Sequence, residues 1–185
     1  MSGQAESWLP LDFVHPERVE LSTGEHLRPI READVEIDYP AVMQSRDRLW
    51  SIFGEPWGWP PATMSMEQDR ADLARHEREI RDHQSFNYAV LDAAESRLLG
   101  CVYVDPPERT GADADITWWV VDEALDGPLD ATLLEFVPKW IADAWPFTAP
   151  PFIGRDLTWA EWHELPEVPP PSDAEAVMRR TRAKL

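Results

Sequence analysis

Three short apolar segments, 86–91, 97–104 and 115–121, constrain the fold of this chain more than any other feature. All three are rich in β-branched and aromatic residues, which favour strands over helices. Turn-forming residues separate them, first at 92–96 and then in the loop 105–111 with its two prolines. The pattern predicts three consecutive strands of a sheet.

A hairpin and a helix are predicted ahead of these strands. The segments 19–21 and 26–30 pair around a glycine-containing turn. A helix then begins near Asp38. The stretch 54–61, with the sequence GEPWGWPP, follows it and predicts a stiff, irregular loop that presents two tryptophans.

Two further helices have clear boundary signals. Ser65 and Gln68 form a capping box for a helix that runs to about residue 83. A helix with a broad apolar face is predicted from about Pro128 to Ala144, and Pro138 predicts a kink in it. Strands and helices together indicate an α/β (α+β) domain with helices flanking a central sheet.

The chain divides into three parts. Its 185 residues fit one domain with a tail. We assign 1–17 to an N-terminal arm, 18–165 to the domain, and 166–185 to a proline-rich linker followed by a short basic helix. Ser172 and Glu175 are the predicted caps of that last helix.

The chain is strongly acidic, with 35 Asp and Glu against 17 Lys and Arg and a formal net charge of −18. A field of this sign repels nucleic acid and anionic membranes and attracts cationic partners such as amines. The same charge could serve solubility alone. Charge therefore argues against binding to nucleic acid or to a membrane surface. It leaves open both a cationic partner and a role in solubility alone.

Compartment and redox chemistry follow from equally simple features. No apolar run approaches the length of a membrane-spanning helix, and the first residues lack the features of a signal peptide, so we expect a cytoplasmic protein. The single cysteine, Cys101, cannot form an intrachain disulfide, and its apolar strand predicts a core position. The histidines are scattered, and no metal site is predicted.

Three motifs occur in an order that resembles one enzyme family. LRPIREAD at 27–34, RLLGCVYVDP at 97–106 and ADITWWV at 114–120 are similar to three successive strand motifs of the GNAT N-acetyltransferases. The resemblance covers residues 19–145. It implies a GNAT-like acyl-CoA N-acyltransferase fold with a mixed, mostly antiparallel central sheet flanked by helices. In this fold the strand 115–121 splays from the next strand and leaves its backbone free for the pantetheine arm of acetyl-CoA.

The resemblance also implies roles for particular residues. Asp115 matches an acidic position of the family and is the expected general base or water-positioning group. The expected coenzyme contacts are Trp119, Val120, Val121, Gly127 and Leu129. The expected acceptor contacts are Trp57, Trp59, Tyr103 and Trp118. Trp57 and Trp59 would form an apolar or cation-binding wall.

The loop 121–130 departs from the glycine-rich phosphate loop of the family. Ala124 stands where the family has Gln or Arg, and Leu129 stands where it has its second glycine. Pro128 lacks an amide donor, and Asp126 and Asp130 place negative charge where a phosphate would bind. These residues oppose pyrophosphate binding but make a good helix start. The sequence therefore predicts a degraded coenzyme loop.

Two functional hypotheses follow. The first is a GNAT-like N-acyltransferase that transfers an acetyl group from acetyl-CoA to an amine of a small molecule or peptide. The alternative is a catalytically inactive GNAT-fold binding or scaffold protein. Residues after 145 are too few for the full C-terminal end of the family, so we expect a trimmed fold and consider a homodimer that covers its apolar edge.

Overall fold

The computed structural model describes residues 8–169 and contains one central sheet. Each strand of the sheet is antiparallel to the next, in the order of the sequence. The strands are β1 (Val19–Glu20), β2 (His26–Pro29), β3 (Phe86–Leu91), β4 (Leu98–Asp105) and β5 (Asp115–Val120). The predicted hairpin and the three consecutive strands are confirmed.

Helices lie between the second and third strands and after the last strand. Within residues 8–169 they are α1 (Val35–Gln44), α2 (Arg46–Trp57), α3 (Met66–Arg81), α4 (Pro128–Ala144) and α5 (Trp159–Glu164). Single 3-10 turns lie at Glu32–Asp34 and Asp122–Ala124. Both hydrogen bonds of the predicted capping box at α3 are present, between Ser65 and Gln68. The helix α4 has the predicted range and runs unbroken through Pro138.

The helices cover both faces of the sheet. Successive residues of a strand point to opposite faces, so they contact different helices. Tyr103 of β4 points toward α2, with its ring centroid 6.4 Å from that of Phe53. Tyr88 of β3 points the other way, with its ring centroid 5.0 Å from that of Trp140 in α4. We call these two sides of the sheet the α2 face and the α4 face.

The end of α2 corrects the predicted loop at 54–61, because α2 continues to Trp57. The rings of Phe53 and Trp57 stack 4.6 Å apart and nearly parallel. This packing outweighs the poor helix propensity of Gly54 and Pro56. Gly58, with φ of 64°, then ends the helix and donates its N–H to the carbonyl of Gly54 at 2.9 Å. Trp57 is therefore a helical residue, and Trp59 alone of the two predicted aromatics follows the helix.

The start of the helical region also differs from the prediction. The chain forms two helices separated at Ser45, and the first begins at Val35 instead of near Asp38. The buried guanidinium of Arg28 donates to both carboxylate oxygens of Asp34 at 2.8 Å. The amide of Arg31 donates to the same carboxylate at 2.8 Å. This network orders the turn before α1, so the helix starts earlier than its apolar stripe indicates.

After α4 the chain returns to the sheet for one short contact. The amide of Ile116 donates to Pro151 at 3.2 Å, and the amide of Ile153 donates to Ile116 at 2.9 Å. These bonds make a parallel bridge on the outer edge of β5. Gly154 then adopts a φ of 81°, which turns the chain away from β5. Within residues 8–169 the C-terminal end of the sheet is thus trimmed to this bridge, as predicted.

The described part of the N-terminal arm packs into the core at the α4 face. The indole of Trp8 donates to the carbonyl of His83 at 2.8 Å. Phe13 lies 5.2 Å from Trp145 between ring centroids, and Leu9 is buried. Residues 1–7 and 170–185, including the predicted basic helix, lie outside the described residues. No helix within 8–169 has the length and apolarity needed to cross a membrane.

The strands β4 and β5 approach closely at Gly100. A Cβ atom there would lie 2.2 Å from the carbonyl oxygen of Trp119 and 3.0 Å from the Cα of Val120. Both are backbone atoms, so an added methyl group must push the two strands apart. We predict that Gly100→Ala lowers the free energy of unfolding by about 2 kcal/mol or more, measured by urea denaturation.

Gly127→Ala is the matched control for this substitution. A Cβ at Gly127 meets its nearest atom, the carbonyl oxygen of Ala124, at 3.0 Å, and the φ of −92° suits any residue. We expect a loss below about 1 kcal/mol. Equal losses for the two variants would contradict the close approach at Gly100.

Candidate active site

The outer edge of β5 carries backbone groups that no strand covers. Residues of an antiparallel strand alternately direct their N–H and C=O groups to the partner strand and away from it. Ile116 directs its groups outward to 151–153, so Trp118 and Val120 do the same. The carbonyl of Val120 accepts a hydrogen bond from Arg48. Within residues 8–169, the amide and carbonyl of Trp118 and the amide of Val120 have no hydrogen-bond partner. Such an edge can bind an extended ligand that contains amides.

A small cavity opens on the α2 face near the start of the same strand. Its lining combines acidic and aromatic side chains, which are Trp57, Asp105, Glu108, Asp115, Thr117, Ile153, Trp159 and Trp162. About 10 Å³ is free for the centre of a water molecule, which is room for one water. The cavity is too small for an amine substrate, but it can hold a water beside a carboxylate.

Asp115 is the central acid of this cavity. Its side chain is buried, and its Oδ2 atom accepts the amide N–H of Glu108 at 3.0 Å. Burial raises the pKa of Asp115 to about 7, and the charges of Asp105 and Glu108 add to the increase. The other carboxylate oxygen, Oδ1, has no hydrogen-bond partner within the described residues. Asp115 can therefore exchange a proton near neutral pH.

Three tryptophans form the wall of the cavity. Trp159 lies between the other two, with ring centroids 5.8 Å from Trp57 and 5.6 Å from Trp162, and both pairs are close to perpendicular. The Nε1 group of Trp162 is buried without a hydrogen-bond partner among residues 8–169, although it lies close enough to Asp115 to lower the pKa of that carboxyl. The wall excludes bulk water and is the main physical cause of the raised pKa.

The structure brings together some of the predicted site residues and separates others. Asp115 and Trp57 share the cavity. Trp118 points to the opposite, α4 face of the sheet, because it stands one residue from Thr117 on the strand. Trp59 contacts Trp119, with 6.1 Å between ring centroids, and does not line the cavity.

The remaining predicted residues are buried structural neighbours of the cavity and the edge. The phenol oxygen of Tyr103 accepts the indole N–H of Trp119 at 3.1 Å. Val121 donates its amide to Leu99 of the next strand at 2.9 Å and so is not part of the open edge. Leu129 is buried in the hydrophobic core.

The loop at 121–130 bonds mainly to itself. Leu125 donates its amide to Asp122 at 3.3 Å, and Gly127 donates to Ala124 at 3.1 Å. The amide of Asp126 donates to the carboxylate of Asp130 at 3.1 Å. Asp130 is buried at the start of α4, so its charge lies where an anionic group would approach these amides. The three amides before Pro128 are thus already used within the loop.

Two parts of the site escaped prediction from sequence. Trp159 and Trp162 lie on α5, whose start is marked by a capping box between Thr158 and Glu161. That TxxE signal was available in the sequence, and it would have located the helix. The packing of α5 against Asp115 depends on the turn at Gly154. The local sequence does not show in which direction this turn sends the chain.

Solved structures with a similar fold are acetyltransferases. A ribosomal-protein-S5-alanine acetyltransferase from Vibrio fischeri matches with a TM-score of 0.52 and 16% identity, over 69% of this chain and 68% of that chain. A putative ribosomal-protein-serine acetyltransferase from Vibrio cholerae matches with a TM-score of 0.58 and 13% identity, over 75% of each chain. A ribosomal L7/L12 α-N-protein acetyltransferase in complex with coenzyme A matches with a TM-score of 0.55 and 20% identity, over 68% of each chain. The chain therefore has the GNAT fold, as its sequence predicted.

Other comparisons add no closer relative. No protein-family model matches the chain, and no curated protein matches it. Within residues 8–169, no group of three or more His, Cys, Asp or Glu side chains is arranged to hold a metal ion.

The raised pKa of Asp115 has a measurable effect on stability. The folded state holds the proton up to a pKa of about 7, against an ordinary value of 3.8, so this group's contribution to stability falls as pH rises between these values. Asparagine resembles the neutral carboxyl at every pH. We predict that the stability of Asp115→Asn relative to wild type increases by about 2 kcal/mol between pH 5.5 and 7 and is constant above, in denaturant titrations at several pH values.

The exposed Asp143→Asn, with a side chain 62% accessible, is the control for this measurement. It should show no such pH-dependent difference. A difference for Asp115→Asn that is flat from pH 5.5 to 8 would mean that the carboxyl titrates normally.

Proposed function

We propose that this protein is an N-acyltransferase that transfers an acetyl group from acetyl-CoA to an amine. The observation that carries the proposal is the position of Asp115, a buried carboxyl with a pKa of about 7, on the strand that also has the open backbone edge. Asp115 and Trp118 are three residues apart, or about 10 Å along the strand. A proton acceptor and a binding edge for the acyl donor therefore lie about 10 Å apart on the same strand.

The donor side of the proposal rests on Trp118 and Val120. A pantetheine arm has two amides, which match the alternating free donors and acceptors of these two residues. Among the cofactor contacts expected from sequence, Val120 lies on this edge. Trp119 and Val121 direct their backbone to β4 and support the edge from behind. Acetyl-CoA supplies a thioester, whose acyl carbon an amine can attack with release of the thiol.

The acceptor side rests on the acidic and aromatic cavity. The cavity has room for a water only, so the amine stays outside it, and the carboxyl groups of Asp105, Glu108 and Asp115 attract the protonated amine toward this end of β5. When the carbon–sulfur bond breaks, the leaving thiolate takes up the proton that the new amide nitrogen releases. Before it attacks the acyl carbon, the ammonium must lose one proton to free its lone pair. Asp115 accepts that proton through one water, for which the cavity has room.

The alternative, an inactive GNAT-fold binding protein, is favoured by the loop at 121–130. Its amides before Pro128 bond within the loop, and Asp130 presents a buried negative charge. Both features oppose binding of a diphosphate by this loop. The alternative predicts that the acidic residues around Asp115 attract a cationic partner without turnover.

Turnover can be tested by measuring thiol release from acetyl-CoA in the presence of amines. The probes are spermidine and short peptides that begin with alanine or serine. We predict turnover that rises with pH through about 7, because Asp115 must be deprotonated to act. Asp115→Asn should lower kcat by about 100-fold or more, with a smaller change in KM.

Asp143→Asn serves again as the matched control and should retain wild-type turnover. Wild-type protein that neither releases thiol nor binds acetyl-CoA at millimolar concentration would favour the inactive alternative. Full turnover by Asp115→Asn would remove Asp115 from the mechanism.

A further inference from the structure

One arginine beside the open edge of β5 lacks an ion pair in a protein with a large excess of acid. Arg155 follows the turn at Gly154, and its guanidinium carbon lies 4.7 Å from the ring centroid of Trp118. Its backbone amide donates to the carbonyl of Phe152 at 2.9 Å, but within residues 8–169 its guanidinium makes no hydrogen bond or salt bridge. The chain has 35 acidic residues for 17 basic ones, so a partly desolvated arginine without a carboxylate partner calls for a physical explanation.

A second arginine reaches the same edge from the other face. Arg48, on α2, donates to the carbonyl of Val120 and pairs with Asp122 at 2.6 Å. Arg155 contacts Trp118 on the α4 face, whereas Arg48 comes from the α2 face. The two guanidinium groups therefore stand on opposite sides of the open backbone groups, at the end of β5 that leads into the loop 121–130.

The electrostatics around these groups favour an added anion. Burial lowers the pKa of Arg155, the charge of Arg48 lowers it further, and the charge of Asp130 opposes both effects. Arg48 and Arg155 are thus close enough to repel each other. An anion held between them would relieve this repulsion and would restore the hydrogen bonds that Arg155 lacks.

We propose that Arg48 and Arg155 form a diphosphate-binding clamp that takes over the role of the loop amides. The clamp would hold the diphosphate of a nucleotide-linked acyl donor whose arm lies along Trp118 and Val120. The identity of the ligand as an acyl donor rests on the proposed function. Its location also answers the objection raised by the loop 121–130, because the charge for the anion comes from side chains on α2 and after Gly154.

Binding of inorganic pyrophosphate to the full-length chain tests the clamp without an acyl group or an amine. We predict binding to the wild type with a Kd in the millimolar range or below, measured by isothermal titration calorimetry, and weaker binding as salt increases. Arg155→Gln and Arg48→Gln should each raise the Kd roughly tenfold. Asp130→Asn should lower the Kd severalfold, because it removes a negative charge near the anion.

Arg46→Gln is the matched control. Arg46 lies on the same helix as Arg48, stacks 5.2 Å from the ring of Trp50, and has a side chain 23% accessible against 22% for Arg48. It should bind pyrophosphate as the wild type does. Arg155→Gln loses its contact with the ring of Trp118 but no hydrogen bond within residues 8–169, so its midpoint of thermal unfolding should fall by no more than a few degrees.

Several results would overturn the clamp. The first is that the wild type does not bind pyrophosphate at 10 mM, roughly the upper limit for a useful site. The others are an unchanged Kd for pyrophosphate in Arg155→Gln, or a loss of affinity in Arg46→Gln equal to that in Arg48→Gln. The clamp and the proposed function can fail separately. Arginine-dependent pyrophosphate binding without acetyl transfer supports the clamp and refutes the enzyme. Acetyl transfer whose KM for acetyl-CoA is the same in each arginine variant as in the wild type supports the enzyme and refutes the clamp.

Discussion

The contact between β5 and the returning chain at 151–153 determines most of what is distinctive in this structure. Two hydrogen bonds at Ile116 attach the chain to the sheet, and Gly154 with φ of 81° then turns it away. Because no strand among the described residues 8–169 continues beside Trp118, the rest of the β5 edge stays open there. The same turn directs Arg155 onto the ring of Trp118 and leads into α5, whose tryptophans enclose Asp115. One turn thus shapes both the edge and the cavity.

Burial and charge oppose each other in this site, and the balance sets its chemistry. A carboxyl placed among tryptophans and other acids keeps its proton to about pH 7, since ionisation there costs desolvation and repulsion. On the opposite side of the strand, an arginine is held without a carboxylate partner within residues 8–169. A buried carboxyl with a raised pKa suits a residue that accepts a proton near neutral pH. A guanidinium without a carboxylate partner suits a residue that binds an anion.

The sequence predicted local elements well and their tertiary placement less well. The strands at 86–121 and the helix α4 have strong periodicity and clear boundaries, so their ranges were confirmed. The end of α2 was wrong because stacking of Phe53 on Trp57, a packing effect, overrides the local preference of Gly54 and Pro56. Asp115 was chosen as a candidate from its motif, but its cavity is closed by Trp159 and Trp162, which come from the far end of the domain.

The central claim is that the open edge of β5 binds the arm of the acyl donor, and a crystal structure of the protein soaked with coenzyme A tests it most directly. The account predicts that the pantetheine amides bond to the backbone of Trp118 and Val120. It also predicts that the diphosphate lies between the guanidinium groups of Arg48 and Arg155, with the loop 121–130 unchanged. Coenzyme A bound elsewhere, or an edge that stays empty at saturating coenzyme A, would contradict it.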